Sequence, residues 1–82
     1  MITLHRYEKD GQVCELRANR MRAEDGLSWE DIRIRVDGGD NLPIIRNESA
    51  TGHQYRYAVR IEGKLRYKTI PKSIIESYIR EG

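Results

Sequence analysis

Between Tyr55 and Ile70, basic residues alternate with apolar and aromatic ones on both sides of a reversal at Glu62-Gly63. A helix would scatter that pattern around its circumference, whereas a strand sorts it onto two faces. Read as a hairpin with the loop Ile61-Glu62-Gly63, the segment pairs Arg60 with Lys64. Val59 then lies opposite Leu65, Tyr57 opposite Tyr67 and Tyr55 opposite Thr69. That face is aromatic and β-branched, as a core-facing sheet surface should be. The other face carries Arg56, Ala58, Arg60, Lys64, Arg66 and Lys68.

The same reasoning predicts an N-terminal hairpin, Ile2–Glu8 with Gln12–Ala18, around Lys9-Asp10-Gly11. Glu8 would face Gln12, Arg6 face Cys14, Leu4 face Leu16 and Ile2 face Ala18. Ile2, Leu4, Cys14, Leu16 and Ala18 would share one side, with Thr3, His5, Tyr7, Val13, Glu15 and Arg17 on the other. Asp31–Val36 alternates with period two and reads as a strand, and Asp37–Asn41 reads as a turn. Ile44–Asn47 reads as a short fourth or edge strand after Pro43, and Ser49–Gln54 as a polar connection. After Pro71, Ile74, Ile75, Tyr78 and Ile79 recur at helical spacing, with Ser73 and Glu76 placed as a capping box. The expected fold is α+β and mainly β, an antiparallel meander or small barrel-like sheet of five to six strands with a short C-terminal helix. At 82 residues, 1–82 is expected to be a single compact domain.

Composition narrows the function. The longest apolar run is Leu42-Pro43-Ile44-Ile45, too short for a membrane span or a signal-peptide core. A lone cysteine excludes an internal disulfide framework and fits a reducing compartment, so a cytoplasmic location is expected. Cys14 lacks a base in the predicted pairing, because His5 sits on the opposite face and His53 lies in a distant loop. One Cys and two separated His give no zinc spacing, and no phosphate-cradling glycine motif is present. The carboxylate pairs Glu24-Asp25 and Glu30-Asp31 read as solvated charges beside a loop. Neither enzyme nor cofactor nor metal is expected. Trp29 reads either as a core plug or as an exposed contact residue.

Two segments resemble known DNA-binding motifs. Arg20–Ile32 resembles the first helix, turn and second-helix start of bacterial helix-turn-helix motifs. Arg33 stands where that motif needs a small residue, and Asp37-Gly38-Gly39-Asp40-Asn41 breaks the path to a recognition helix. Ile32-Arg33-Ile34-Arg35-Val36 is β-branched and alternating, which favours sheet over helix-turn-helix across 15–36. Thr69-Ile70-Pro71-Lys72-Ser73-Ile74-Ile75-Glu76 resembles the strand-to-helix segment of the swapped-hairpin DNA-binding family typified by AbrB. That family continues with a further strand, and this sequence stops at Gly82. A proline opening an amphipathic turn accounts for the segment more simply.

Charge gives the functional expectation. The formal net charge is only +2, but residues 44–72 hold seven Lys/Arg against two Glu. Residues 1–43 hold seven Lys/Arg against nine acids, so the charge is segregated along the chain. In the predicted pairing Arg60 faces Lys64 and Arg56 faces Lys68, an arrangement that costs some tenths of a kcal/mol per pair and calls either for surrounding acids, such as those of the Asp31–Asp37 strand on a solvated outer face, or for a bound anion. Arg56, Arg60, Lys64, Arg66 and Lys68, with Arg46 and Lys72 beside them, are therefore the candidate contacts to nucleic acid, DNA or RNA. The alternative is a protein-binding module whose partner offers an acidic surface, such as a phage- or plasmid-borne anti-defence inhibitor of the anti-CRISPR kind. No membrane partner is expected, and sheet extension into a homodimer would suit a chain this small.

Overall fold

The computed structural model describes residues 1–23, 26–50 and 52–78. Side chains are described for these except residues 21–28 and 49. The chain forms two antiparallel sheets of four and three strands with one short helix. This corrects the expected single meander or barrel. The strands divide into two units, Met1–Pro43 and Ile44–Gly82, each with its own sheet.

The first unit contains β1 (Ile2–Lys9), β2 (Gln12–Ala23), β3 (Gly26–Val36) and β4 (Asn41–Pro43), in that spatial order. Within the stretch that resembled a helix-turn-helix, Arg20–Ala23 and Gly26–Ile32 are strand, and Glu24-Asp25 lies outside the described residues. β4 begins at Asn41, the last residue of the expected turn, and adds a strand that was not expected. Tyr7 pairs with Cys14, Arg6 with Glu15 and His5 with Leu16, one residue away from the expected register. The cause is the turn. Asp10 (φ 53°) and Gly11 (φ 74°) are both left-handed, forming a two-residue turn whose twist matches the strands it joins. A bulge between Thr3 and His5 then restores the expected Ile2–Ala18 pair. The slip moves His5 and Tyr7 to the side of Cys14 and Leu16. Cys14 is buried to 1% exposure, so its thiol is closed to solvent.

The row His5–Leu16–Ile34–Leu42 crosses all four strands. Leu16, Ile34 and Ala18 are fully buried on that face, and each Leu or Ile contributes about 1.5–3 kcal/mol of burial. A second bulge lies between Arg17–Arg33 and Asn19–Glu30, where Asp31 adopts φ 54° and its Oδ1 accepts from Arg33 Nε at 3.0 Å. Asp37 ends β3. Its backbone N–H donates to Val13 O at 2.8 Å and its Oδ1 accepts from Val13 N–H at 2.9 Å, tying the turn to β2. Trp29 is half-buried, with Arg20 Cζ 5.8 Å from its ring centroid.

The second unit contains β5 (Ile45–Ser49), β6 (Gly52–Ile61), β7 (Lys64–Ile70) and α1 (Lys72–Ile75), with the sheet ordered β5-β6-β7. The expected polar connection is partly strand, since β6 begins at Gly52. The helix is a single turn opened by Pro71. Ser73 lies inside it and no side chain caps it, so the expected capping box does not form. Ile79 lies outside the described residues. Ile75 is fully buried and α1 lies against β6. Glu76 instead reaches Lys72 Nζ and His53 Nε2, each at 3.6 Å.

Glu62 (φ 53°) and Gly63 (φ 76°) form a second two-residue left-handed turn. A Cβ on Gly63 would meet nothing within 4 Å, so replacing it costs only backbone conformation. Gly63→Ala is expected to lower stability by about 1 kcal/mol, read as a shift of the urea midpoint at unchanged slope. An unchanged midpoint would mean that the turn is not left-handed.

Candidate functional site

The short turn changes the face of the C-terminal hairpin. Ile61 pairs with Lys64, Arg60 with Leu65, Val59 with Arg66, Ala58 with Tyr67, Tyr57 with Lys68, Arg56 with Thr69 and Tyr55 with Ile70. The single basic face expected from the sequence therefore does not exist. Lys64, Arg66 and Lys68 share a face with Tyr55, Tyr57 and Val59, while Arg56 and Arg60 share the other with Leu65 and Tyr67. No cation lies directly opposite another, so the like-charge cost that argued for an anion is absent.

The physical reason is Ile70. In the longer-loop pairing it would lie on the cationic face, beside Pro71 and the helix start. In the observed pairing Ile70 is 1% exposed and lies opposite Tyr55, which is 3% exposed. Leu65 and Tyr67 go outward in exchange, at 51% and 52% exposure. Across β5, Ile45 pairs with Arg56 and is 37% exposed on that same face. The result is an open sheet face with Ile45, Arg56, Ala58, Arg60, Leu65, Tyr67 and Thr69 at its register positions, and no carboxylate among them. Arg56 Cζ stands 5.2 Å from the Tyr67 ring centroid, within cation–π range. Arg56 Nε is buried there without a hydrogen-bond acceptor among the described residues.

The seven candidate cations differ in how far the fold neutralises them. Arg46 Nε lies 3.0 Å from Glu48 Oε1, and Lys72 Nζ lies 3.6 Å from Glu76 Oε1. Lys68 has an interaction of its own. Arg56, Arg60, Lys64 and Arg66 make no ion pair among the described residues. The first unit behaves differently. On its polar face Glu15, 5% exposed, takes two hydrogen bonds from Arg35 (Nη2 2.8 Å, Nε 3.0 Å) and one from Arg6 Nη2 (3.2 Å). Thr3 Oγ1 adds a fourth at 3.3 Å. Hydrogen bonding by Arg35 is the main influence holding the Glu15 carboxyl below its ordinary range; burial opposes it and Arg6 assists. Arg6, Arg33 and Arg35 are thus paired with carboxylates, whereas Arg17 donates to Met1 O and Arg20 lies over Trp29.

Compared with family models, curated proteins and solved structures, the chain matches none. Among the described residues no group of three or more His, Cys, Asp or Glu is placed to hold a metal ion, and no helix is long and apolar enough to cross a membrane. A cleft of about 280 Å³ beside α1 is lined by His53, Tyr55, Ile70 and Lys72, among others. Its Lys72 is already engaged by Glu76.

Sequence reasoning missed Ile45, Leu65 and Tyr67 as surface residues, having placed Leu65 and Tyr67 in the core. The signal was present in Asp10-Gly11. That dipeptide favours a two-residue turn, and the same reading applied to Glu62-Gly63 turns Tyr67 outward.

Proposed function

We propose that the C-terminal unit binds nucleic acid, with Arg56, Arg60, Lys64 and Arg66 as the principal phosphate contacts and Lys68, Arg46 and Lys72 at the margin. One observation carries this reading. On one hairpin Arg56 and Arg60 on one face, and Lys64 and Arg66 on the other, make no ion pair among the described residues. Cations without carboxylate partners on both faces of one hairpin favour a polyanion, and binding releases the counterions condensed on its phosphates. A second reading has support from Ile45, Leu65 and Tyr67 beside Arg56 and Arg60. Tyrosine and arginine on an open face also suit a protein partner with acidic groups.

A salt series against single-stranded DNA, duplex DNA and RNA tests the primary reading. With four phosphates neutralised, log affinity for a single strand should fall with log salt at a slope of about −3. Arg60→Glu/Arg66→Glu should weaken binding to all three nucleic acids and flatten the slope by about 1–2. Absence of binding at low salt, or affinity indifferent to salt, overturns the proposal.

A further inference from the structure

Burial of Ile70 sends Tyr67 outward, and the outward ring is then available to a ligand. It is a large ring, half-exposed at 52%, in the middle of a strand whose neighbours on that face are Arg56, Ala58, Arg60 and Leu65. The ring offers exposed apolar surface on a sheet face that also carries two cations. Ala58 lies directly opposite and is too small to cover the ring. Arg56 approaches it to 5.2 Å and has no acceptor for Nε among the described residues.

We infer that this face takes single-stranded nucleic acid, with one unpaired base stacked on Tyr67 and the flanking phosphates held by Arg56 and Arg60. The inference rests on the nucleic-acid reading above and specifies the substrate class. Every base has a π-face, so a tyrosine platform tolerates sequence while demanding that the base be unpaired. A duplex keeps its bases stacked inside and can offer this face only phosphates. Leu65 and Ile45 extend the apolar floor on either side of the Arg56–Tyr67 pair, and no carboxylate at the register positions of this face would repel the backbone.

The test compares three probes of equal strand length, about 12 nucleotides, on the full chain: oligothymidylate, an abasic deoxyribose-phosphate oligomer, and a duplex. Oligothymidylate should bind about 5–150-fold more tightly than the abasic strand, the range a single stacked base supplies. Tyr67→Ala should erase that preference while leaving affinity for the abasic strand unchanged, and Tyr67→Phe should keep it. Tyr67 is half-exposed, so both variants should fold, which far-ultraviolet circular dichroism checks. Equal affinity for the two single strands overturns stacking and leaves the phosphate reading standing. If no probe binds at low salt, both are overturned.

Discussion

Ile70→Ala is expected to destabilise the chain by about 2–5 kcal/mol, and Leu65→Ala by less than about 0.5 kcal/mol. The two residues sit five apart on one strand and would exchange roles in the alternative register. In the observed pairing Ile70 is 1% exposed and opposite Tyr55, so truncating it opens a cavity that the strand can close only in part. Leu65 is 51% exposed opposite Arg60 and loses little when shortened. Urea unfolding of both variants, followed by circular dichroism, reads the contrast directly. A single domain has a total stability of only about 5–15 kcal/mol, so Ile70→Ala should unfold well below the parent midpoint. A large loss for Leu65→Ala with a small one for Ile70→Ala would return the hairpin to a three-residue loop. It would also remove Tyr67 from the surface and the stacking inference with it.

Glu15→Gln is expected to be the most disruptive charge change in the N-terminal unit. Removing the anion leaves Arg6 and Arg35 on either side of a neutral amide that cannot offset either charge, on a face that also carries Arg17 and Arg33. The pH dependence identifies the mechanism. The folded-state pKa of Glu15 lies below its ordinary value of 4.5, chiefly because Arg35 hydrogen-bonds the charged form. Its stabilising contribution is therefore complete above the unfolded-state pKa and is lost as pH falls through the lower folded-state value. The parent should lose thermal stability on acidification from neutral pH to the region below 4.5. The variant, already less stable at neutral pH, should show a shallower decline. Parallel curves for parent and variant would mean that Glu15 does not hold the two guanidinium groups in solution.

Much of the architecture can be read without coordinates, because strand alternation and reversal are local properties. The β2–β3 stretch was decided by Ile32-Arg33-Ile34-Arg35-Val36, whose β-branching and period of two override a short helix-turn-helix resemblance. The candidate cations were legible too, since charge segregation is a count along the chain. Their arrangement was not. A strand's two faces are related by a shift of one residue, so a loop of two rather than three residues exchanges every neighbour across the hairpin.

A β-rich chain, its main reversals and a positive charge gathered between residues 44 and 72 can all be read from the order of residues. Those facts follow from side-chain periodicity, glycine placement and composition, none of which needs a distant contact. Tertiary structure alone decided which side chains share a face. Burying Ile70 opposite Tyr55, next to the Pro71 turn that carries Ile75 into the core, fixes the pairing of β7 with β6. Once that pairing is fixed, the pleat leaves Leu65 and Tyr67 no direction but outward, beside Arg56 and Arg60.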